Sequence, residues 1–204
     1  MPVLVLDPDD QRRVKRERQL SRGDRFDEVW NGVYVLAPLP NNEHRYFAMQ
    51  IGMAIREAVR VPRDGLLFLG VNVSDRRVTW KRNYRCPDIA VFLKGNPAKN
   101  CETHWFGGPD FGVEIVSPHD RSRDKLGFYA SVGVRELLIL DRKPWRLELY
   151  RLVNGALKLA ATCSATKPSP VASNVLPFRF SLAAGKTRPV VLVTRTTDGH
   201  TSRI

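Results

Sequence analysis

Three residues in this chain have the types and spacing to do chemistry together: Asp88, Glu114 and Lys125. Asp88 opens the apolar run Ile89-Ala90-Val91-Phe92-Leu93, and Glu114 sits inside another, Phe111-Gly112-Val113-Glu114-Ile115-Val116. Charged side chains rarely lie in such runs unless they are paired or bind a cation. Side chains alternate along a strand, so Glu114 faces away from Val113 and Ile115. If the two strands are neighbours, the carboxylates converge on one site. Two carboxylates, a carbonyl and water suit Mg²⁺ or Mn²⁺. A site of that kind activates a water and neutralises charge on a phosphodiester in the transition state. Lys125, at the start of a following helix, would orient that water or stabilise the developing charge. Each residue alone has a plainer reading: Asp88 bonding a turn backbone, Glu114 salt-bridged to an arginine, Lys125 solvated on a first helical turn.

The elements that must position these groups can be read from pattern. Asn31-Gly32 between Val29-Trp30 and Val33-Tyr34-Val35-Leu36 predicts a β-hairpin. Phe47, Ile51, Ile55 and Val59 recur every four residues, predicting a helix over about 43–59, capped by Asn41 or Asn42. Strands are expected at 66–73, 88–93, 111–116, 136–140 and 146–152, the last joined to 156–160 by an Asn154-Gly155 turn. Asp124 is expected to cap a short helix ending at Gly133. The region 162–177 reads as loop, and 190–193 as a weak strand. The order of elements is a mixed α/β fold with a sheet flanked by helices. Three parts are expected: a basic N-terminal arm over 1–25, a domain over 26–182, and a C-terminal tail over 183–204.

The charge balance points to a polyanionic partner. Lys and Arg number 33 against 21 Asp and Glu, a formal +12 with a pI near 10.1. Nucleic acid is the commonest polyanion, and the competing reading is solubility alone. Basic residues crowd the arm (Arg12, Arg13, Lys15, Arg16, Arg18, Arg22, Arg25) and recur at Arg76, Arg77, Lys81, Arg82, Arg85, Arg121 and Arg123. Arg82, Arg85, Arg121 and Arg123 are the candidates for holding a nucleic-acid backbone beside the acids. The three cysteines have no metal-ligand spacing, so neither a disulfide framework nor a zinc site is expected. Free thiols and the lack of any stretch long enough to span a membrane suit a soluble, cytoplasmic protein. Ser117-Pro118-His119-Asp120 holds Ser, His and Asp together, but a hydrolase triad is assembled from separated segments.

The ordered motifs also carry a resemblance. Arg85-Cys86-Pro87-Asp88-Ile89-Ala90-Val91-Phe92 resembles the Pro-Asp strand of the Uma2 endonuclease family, also called domain of unknown function 820. Gly112-Val113-Glu114-Ile115-Val116-Ser117-Pro118 looks like that family's second acidic strand. Lys125-Leu126-Gly127-Phe128-Tyr129 and Gly133-Val134-Arg135-Glu136 resemble its lysine helix and next strand, and the likeness spans about 24–182. The resemblance implies a restriction-endonuclease-like fold of the PD-(D/E)xK superfamily. It makes Asp88 and Glu114 the metal acids and Lys125 a replacement for the usual motif lysine, whose place two residues after the acid is taken by Val116. His44 matches a family histidine, as an accessory group near the scissile phosphate or a residue bonding the preceding loop. Gly32-Val33 stands where relatives carry Gly-Glu.

Two functions of different class follow. One is a Mg²⁺- or Mn²⁺-dependent endonuclease acting on DNA, with RNA open as a substrate. By analogy with nucleases that pair two sites on a duplex, it would be a twofold homodimer. The other is a catalytically silent module on the same fold that binds nucleic acid or a protein partner.

Overall fold

Helix α2 (Asn42–Ala58) forms where the four-residue apolar repeat predicts it. Asn41 caps it by accepting a 2.9 Å bond from the His44 backbone N–H, and its inner face sets Phe47, Ile51 and Ile55 fully out of solvent. The computed structural model describes residues 3–59, 64–117 and 121–204, so His119 and Asp120 of the Ser-Pro-His-Asp motif lie outside the described residues.

Among the described residues the strands form three sheets. The first contains β1 (Val3–Val5), β2 (Glu28–Trp30), β3 (Val33–Leu36), β5 (Val73–Ser74), β6 (Tyr84–Arg85), β8 (Lys99–Asn100) and β9 (Trp105–Phe106). The central sheet holds β4 (Gly65–Leu69), β7 (Ile89–Leu93), β10 (Phe111–Ile115), β11 (Glu136–Arg142), β12 (Trp145–Val153) and β13 (Ala156–Ser164), in the order β13-β12-β11-β10-β7-β4. The third holds β14 (Val171–Ala172), β15 (Phe178–Ala183), β16 (Val190–Arg195) and β17 (Thr201–Arg203). The remaining helices are α1 (Pro8–Leu20) and α3 (Leu126–Ser131), with short 3₁₀ turns at Trp80–Arg82 and Ser122–Lys125. None of these helices is long and apolar enough to cross a membrane.

The alternation of side chains divides the central sheet between two cores. Val113, Ile115, Leu138 and Leu140 pack with α2 and the third sheet. Leu137 and Ile139 pack with Phe128 and Tyr129 of α3. β10 pairs in parallel with β11, setting Glu114 beside Ile139, and antiparallel with β7, from Phe111↔Val91 to Val113↔Ile89. One more step in that register sets Asp88 opposite Glu114. Both predicted Asn-Gly hairpins form, with left-handed backbone at Asn31 and Gly32 and at Asn154 and Gly155.

Four expectations change. The segment over 1–25 is not a loose arm: β1 pairs antiparallel with β3, and α1 follows with Asp7 capping Asp9 and Asp10. Although α1 buries no residue, Arg18 anchors it to Asp27 and to the carbonyls of Gly23 and Ala37. The stretch over 183–204 is not a tail: Val191, Val193 and Ile204 are buried in the core that holds Phe47. The apolar run over 190–193 forms β16 once β15 offers an edge to pair with, turning Val191 and Val193 into the core. β13 runs four residues beyond the predicted end, and β14 lies in the expected loop. Asp124 does not cap the helix; its carboxylate accepts from Arg121 instead, at 2.6 Å.

Phe47 packs edge-on against Trp145, ring centroids 5.6 Å apart, and under the guanidinium of Arg188. Phe47→Ala removes this contact and leaves a cavity, so urea unfolding should show a loss of about 3–5 kcal/mol without a change in far-UV helix signal at low denaturant.

Candidate active site

Glu114 is 3% exposed at the penultimate position of β10. An ionised carboxylate there needs partners, and three of them are among the described residues. Lys125 Nζ donates to Oε1 and Oε2, each at 3.1 Å. The Tyr129 hydroxyl donates to Oε1, and Ser122 Oγ donates to Oε2 at 3.4 Å. All three come from one short segment. A 3₁₀ turn over Ser122–Lys125 runs into α3, so Ser122, Lys125 and Tyr129 fall on the face turned to the sheet. Burial and the Glu114 charge push the Tyr129 phenol well above its usual range, which keeps it a donor.

Asp88 precedes β7 at the same end of the sheet. Its Oδ2 accepts from the Ile115 backbone N–H at 2.7 Å and its Oδ1 faces His44 Nε2 at 2.7 Å. Because a carboxylate only accepts, His44 carries its proton on Nε2 in this contact. His44 Nδ1 stands 3.3 Å from Ser117 Oγ. Arg142, at the end of β11, fixes this corner by donating to Val116 O, Ser117 Oγ and Glu43 at the start of α2.

A further acid joins them that sequence reasoning missed. Glu28 opens β2 and is 4% exposed. Its Oε1 accepts from Lys125 Nζ at 2.9 Å and from the Cys86 backbone N–H at 2.8 Å, while Oε2 accepts from Trp30 Nε1 at 2.6 Å. Its only sequence signal was an acid beginning a short strand before an Asn-Gly turn, a pattern that exposed acids share. The cavity between these groups, about 90 Å³, is lined by Glu28, His44, Asp88, Glu114, Lys125 and Arg121, with Trp30 and Pro38 among its apolar walls.

Thus Asp88, Glu114, Lys125 and His44 share one cavity. His44 bonds Asp88 through its ring; its bond to the preceding loop is made by its backbone N–H alone. Val116, in the position of a motif lysine, packs with the apolar cluster around α3. Of the four candidate backbone-binding arginines, Arg121 lines the cavity over the Trp30 ring. Arg82 is exposed elsewhere, beside the hairpin. Arg85 is a correction: it is buried between Trp30 and Phe128 and donates to Val29 O and Tyr84 O, so it braces the hairpin from within. Arg123 is likewise committed, bridging the buried carboxylates of Asp141 and Glu148. Trp80 is stacked on His104 and Trp105 on Phe92.

The donor set suits a hard cation. The carboxylates of Glu28, Asp88 and Glu114 share the cavity with the cationic side chains of Lys125 and Arg121. Among the described residues no three His, Cys, Asp or Glu side chains are gathered as ready ligands. Two facing carboxylates completed by water match the way Mg²⁺ is held.

A mixed central sheet with acids at the ends of two adjacent strands, and a lysine returned to them by the next helix, defines a restriction-endonuclease-like α/β protein. The chain belongs to the Uma2 family, described as "Putative restriction endonuclease", whose model matches residues 15–185. A solved structure from Anabaena variabilis ATCC 29413, described as "a putative nuclease belonging to DUF820", shares the fold at a TM-score of 0.56. It is 18% identical, over 73% of this chain and 83% of that one. No curated protein matches the chain.

The raised pKa of Tyr129 has a signed consequence. The protonated phenol is favoured in the fold, so its contribution is complete below the unfolded tyrosine pKa of about 10 and is lost as pH rises above it. Thermal melts of the wild type and Tyr129→Phe across pH 7–11 should show the wild type losing ground to the variant only at the alkaline end.

Proposed function

We propose that this chain is a metal-dependent endonuclease that hydrolyses phosphodiester bonds in DNA. The observation that carries the reading is the convergence of Asp88, Glu114 and Lys125, from three separate elements, on one partly enclosed cavity. Asp88 and Glu114 would hold Mg²⁺ or Mn²⁺, which when bound supplies Lewis acidity and a more acidic water. In the reaction, water oxygen attacks phosphorus, the bond to the leaving ester oxygen breaks, and that oxygen takes a proton.

The protein's own groups serve that reaction in distinct ways. Lys125, held between Glu28 and Glu114, donates to the attacking water or to the phosphoryl oxygen that gains charge. Glu28 positions the ammonium. His44 keeps one oxygen of Asp88 occupied and thereby sets the direction of the other. Arg121 at the rim pairs with a flanking phosphate, for which it must leave Asp124.

A second reading, a silent binding module on this fold, is favoured by one observation. Both Glu114 oxygens are already engaged by Lys125, Tyr129 and Ser122, so metal binding requires Lys125 to give way.

Plasmid and single-stranded DNA, incubated with Mg²⁺ or Mn²⁺, separate the two. The nuclease reading expects cleavage that EDTA abolishes and that Asp88→Ala, Glu114→Ala and Lys125→Ala each reduce by about 10²-fold or more, in proteins with unchanged circular dichroism. A folded wild type that binds DNA but leaves both substrates intact would establish the silent module.

A further inference from the structure

Many arginines in this protein are paired with acids. Arg12, Arg13, Arg18, Arg121, Arg123, Arg135, Arg142, Arg146, Arg151, Arg188 and Arg195 all form ion pairs. Other cations carry no ion pair among the described residues, and three of these meet at one place. Lys15 from α1 and Lys81 and Arg82 from the 3₁₀ turn line a groove of about 340 Å³, together with Arg76 and the hairpin residues Asn31 and Tyr34. Among the described residues, no ion pair involves Lys15, Lys81 or Arg82, and no carboxylate lines the groove. Only Arg76 has an acidic neighbour, Asp75 at 3.6 Å, and that pair is exposed and weak.

The groove is firmly built. Gly32 N–H donates to Arg82 O at 2.9 Å and Asn31 N–H donates to Asn83 Oδ1 at 3.0 Å, fastening the hairpin tip to the turn that carries Lys81 and Arg82. Lys15 lies over the Tyr34 ring, 5.7 Å from its centroid. It also has a defined relation to the active site. Glu28 and Trp30 line the catalytic cavity while Val29 between them lines the groove, so the two lie on opposite faces of β2.

We propose that this groove is a second nucleic-acid site, which grips the phosphodiester backbone of a strand passing behind the hairpin and does so independently of cleavage. Convergent, unpaired cations without carboxylates match a chain of phosphates. No aromatic face is free in the groove to stack a base, because the Tyr34 ring is covered by Lys15 and its hydroxyl bonds Asp27. Binding there is therefore indifferent to base sequence and is shared by DNA and RNA. Sequence alone gave Lys15 to an arm and Lys81 and Arg82 to a cluster leading to Asp88; the fold draws them away from the acids and onto one another.

Anisotropy titrations of a labelled single-stranded DNA oligonucleotide, with an RNA of the same sequence as a second arm, test this on the full chain. The triple variant Lys15→Gln/Lys81→Gln/Arg82→Gln should weaken both by about tenfold or more at moderate salt. It should lower the slope of log affinity against log salt by about 2, from roughly 0.7 per lost contact on a single strand. Lys143→Gln/Lys158→Gln/Lys167→Gln, with the same change in net charge, should leave both near wild type. Equal weakening by the two triples, or none by the first in a protein with an unaltered melt, overturns the proposal. Because Lys81 and Arg82 are exposed, the double variant Lys81→Gln/Arg82→Gln gives the same test at about two thirds of the slope change should the triple melt early. Retained binding by Asp88→Ala keeps the groove separate from catalysis, so a wild type that binds but does not cut defeats the nuclease reading and leaves this one standing.

Discussion

A carboxylate in the middle of an apolar sheet is the constraint from which the rest of the site follows. Withdrawing Glu114 from water costs several kcal/mol unless charge and hydrogen bonds compensate it. Among the described residues, compensation comes from Ser122, Lys125 and Tyr129, which one segment delivers against β10. The need to satisfy Glu114 thus fixes where α3 sits, which face it presents, and where Lys125 ends. The same ammonium meets Glu28 from the other side, and this contact joins the hairpin sheet to the central sheet.

That arrangement explains how a lysine can serve a site without occupying the strand position next to the acid. Val116 has passed into the core beside α3, and in its place the helix turn returns an ammonium to the same carboxylate. Two corners support the pair. Arg142 ties the end of β11 to the start of α2 and so holds His44 over Asp88. Arg123 ties the 3₁₀ turn to Asp141 and Glu148 on the neighbouring strands. Both arginines are struts, and breaking either would expose unpaired buried charge.

The same economy governs the surface. A chain with 33 basic residues invites the view that its whole exterior is positive, yet many arginines are neutralised by acids a few ångströms away. The electrostatic field a polyanion meets depends on how the remaining cations are placed rather than on the total.

The sequence by itself determined the elements and the apolar setting of the two acids. The four-residue repeat of Phe47, Ile51 and Ile55 made α2, the Asn-Gly pairs made both hairpins, and acids in apolar runs marked Asp88 and Glu114, because these are local signals of periodicity, turn conformation and desolvation. Tertiary structure decided the rest. It chose which basic residues are free to meet a partner: Arg85 is enclosed by Trp30 and Phe128, and Arg123 is tied to the buried carboxylates of Asp141 and Glu148. It made the first and last segments part of the body, since strands such as β1 and β16 are stable only once an edge is there to pair with. It also brought Glu28 to Lys125 across 97 residues of chain. No local pattern encodes that meeting, because it exists only where two sheets close around one buried charge.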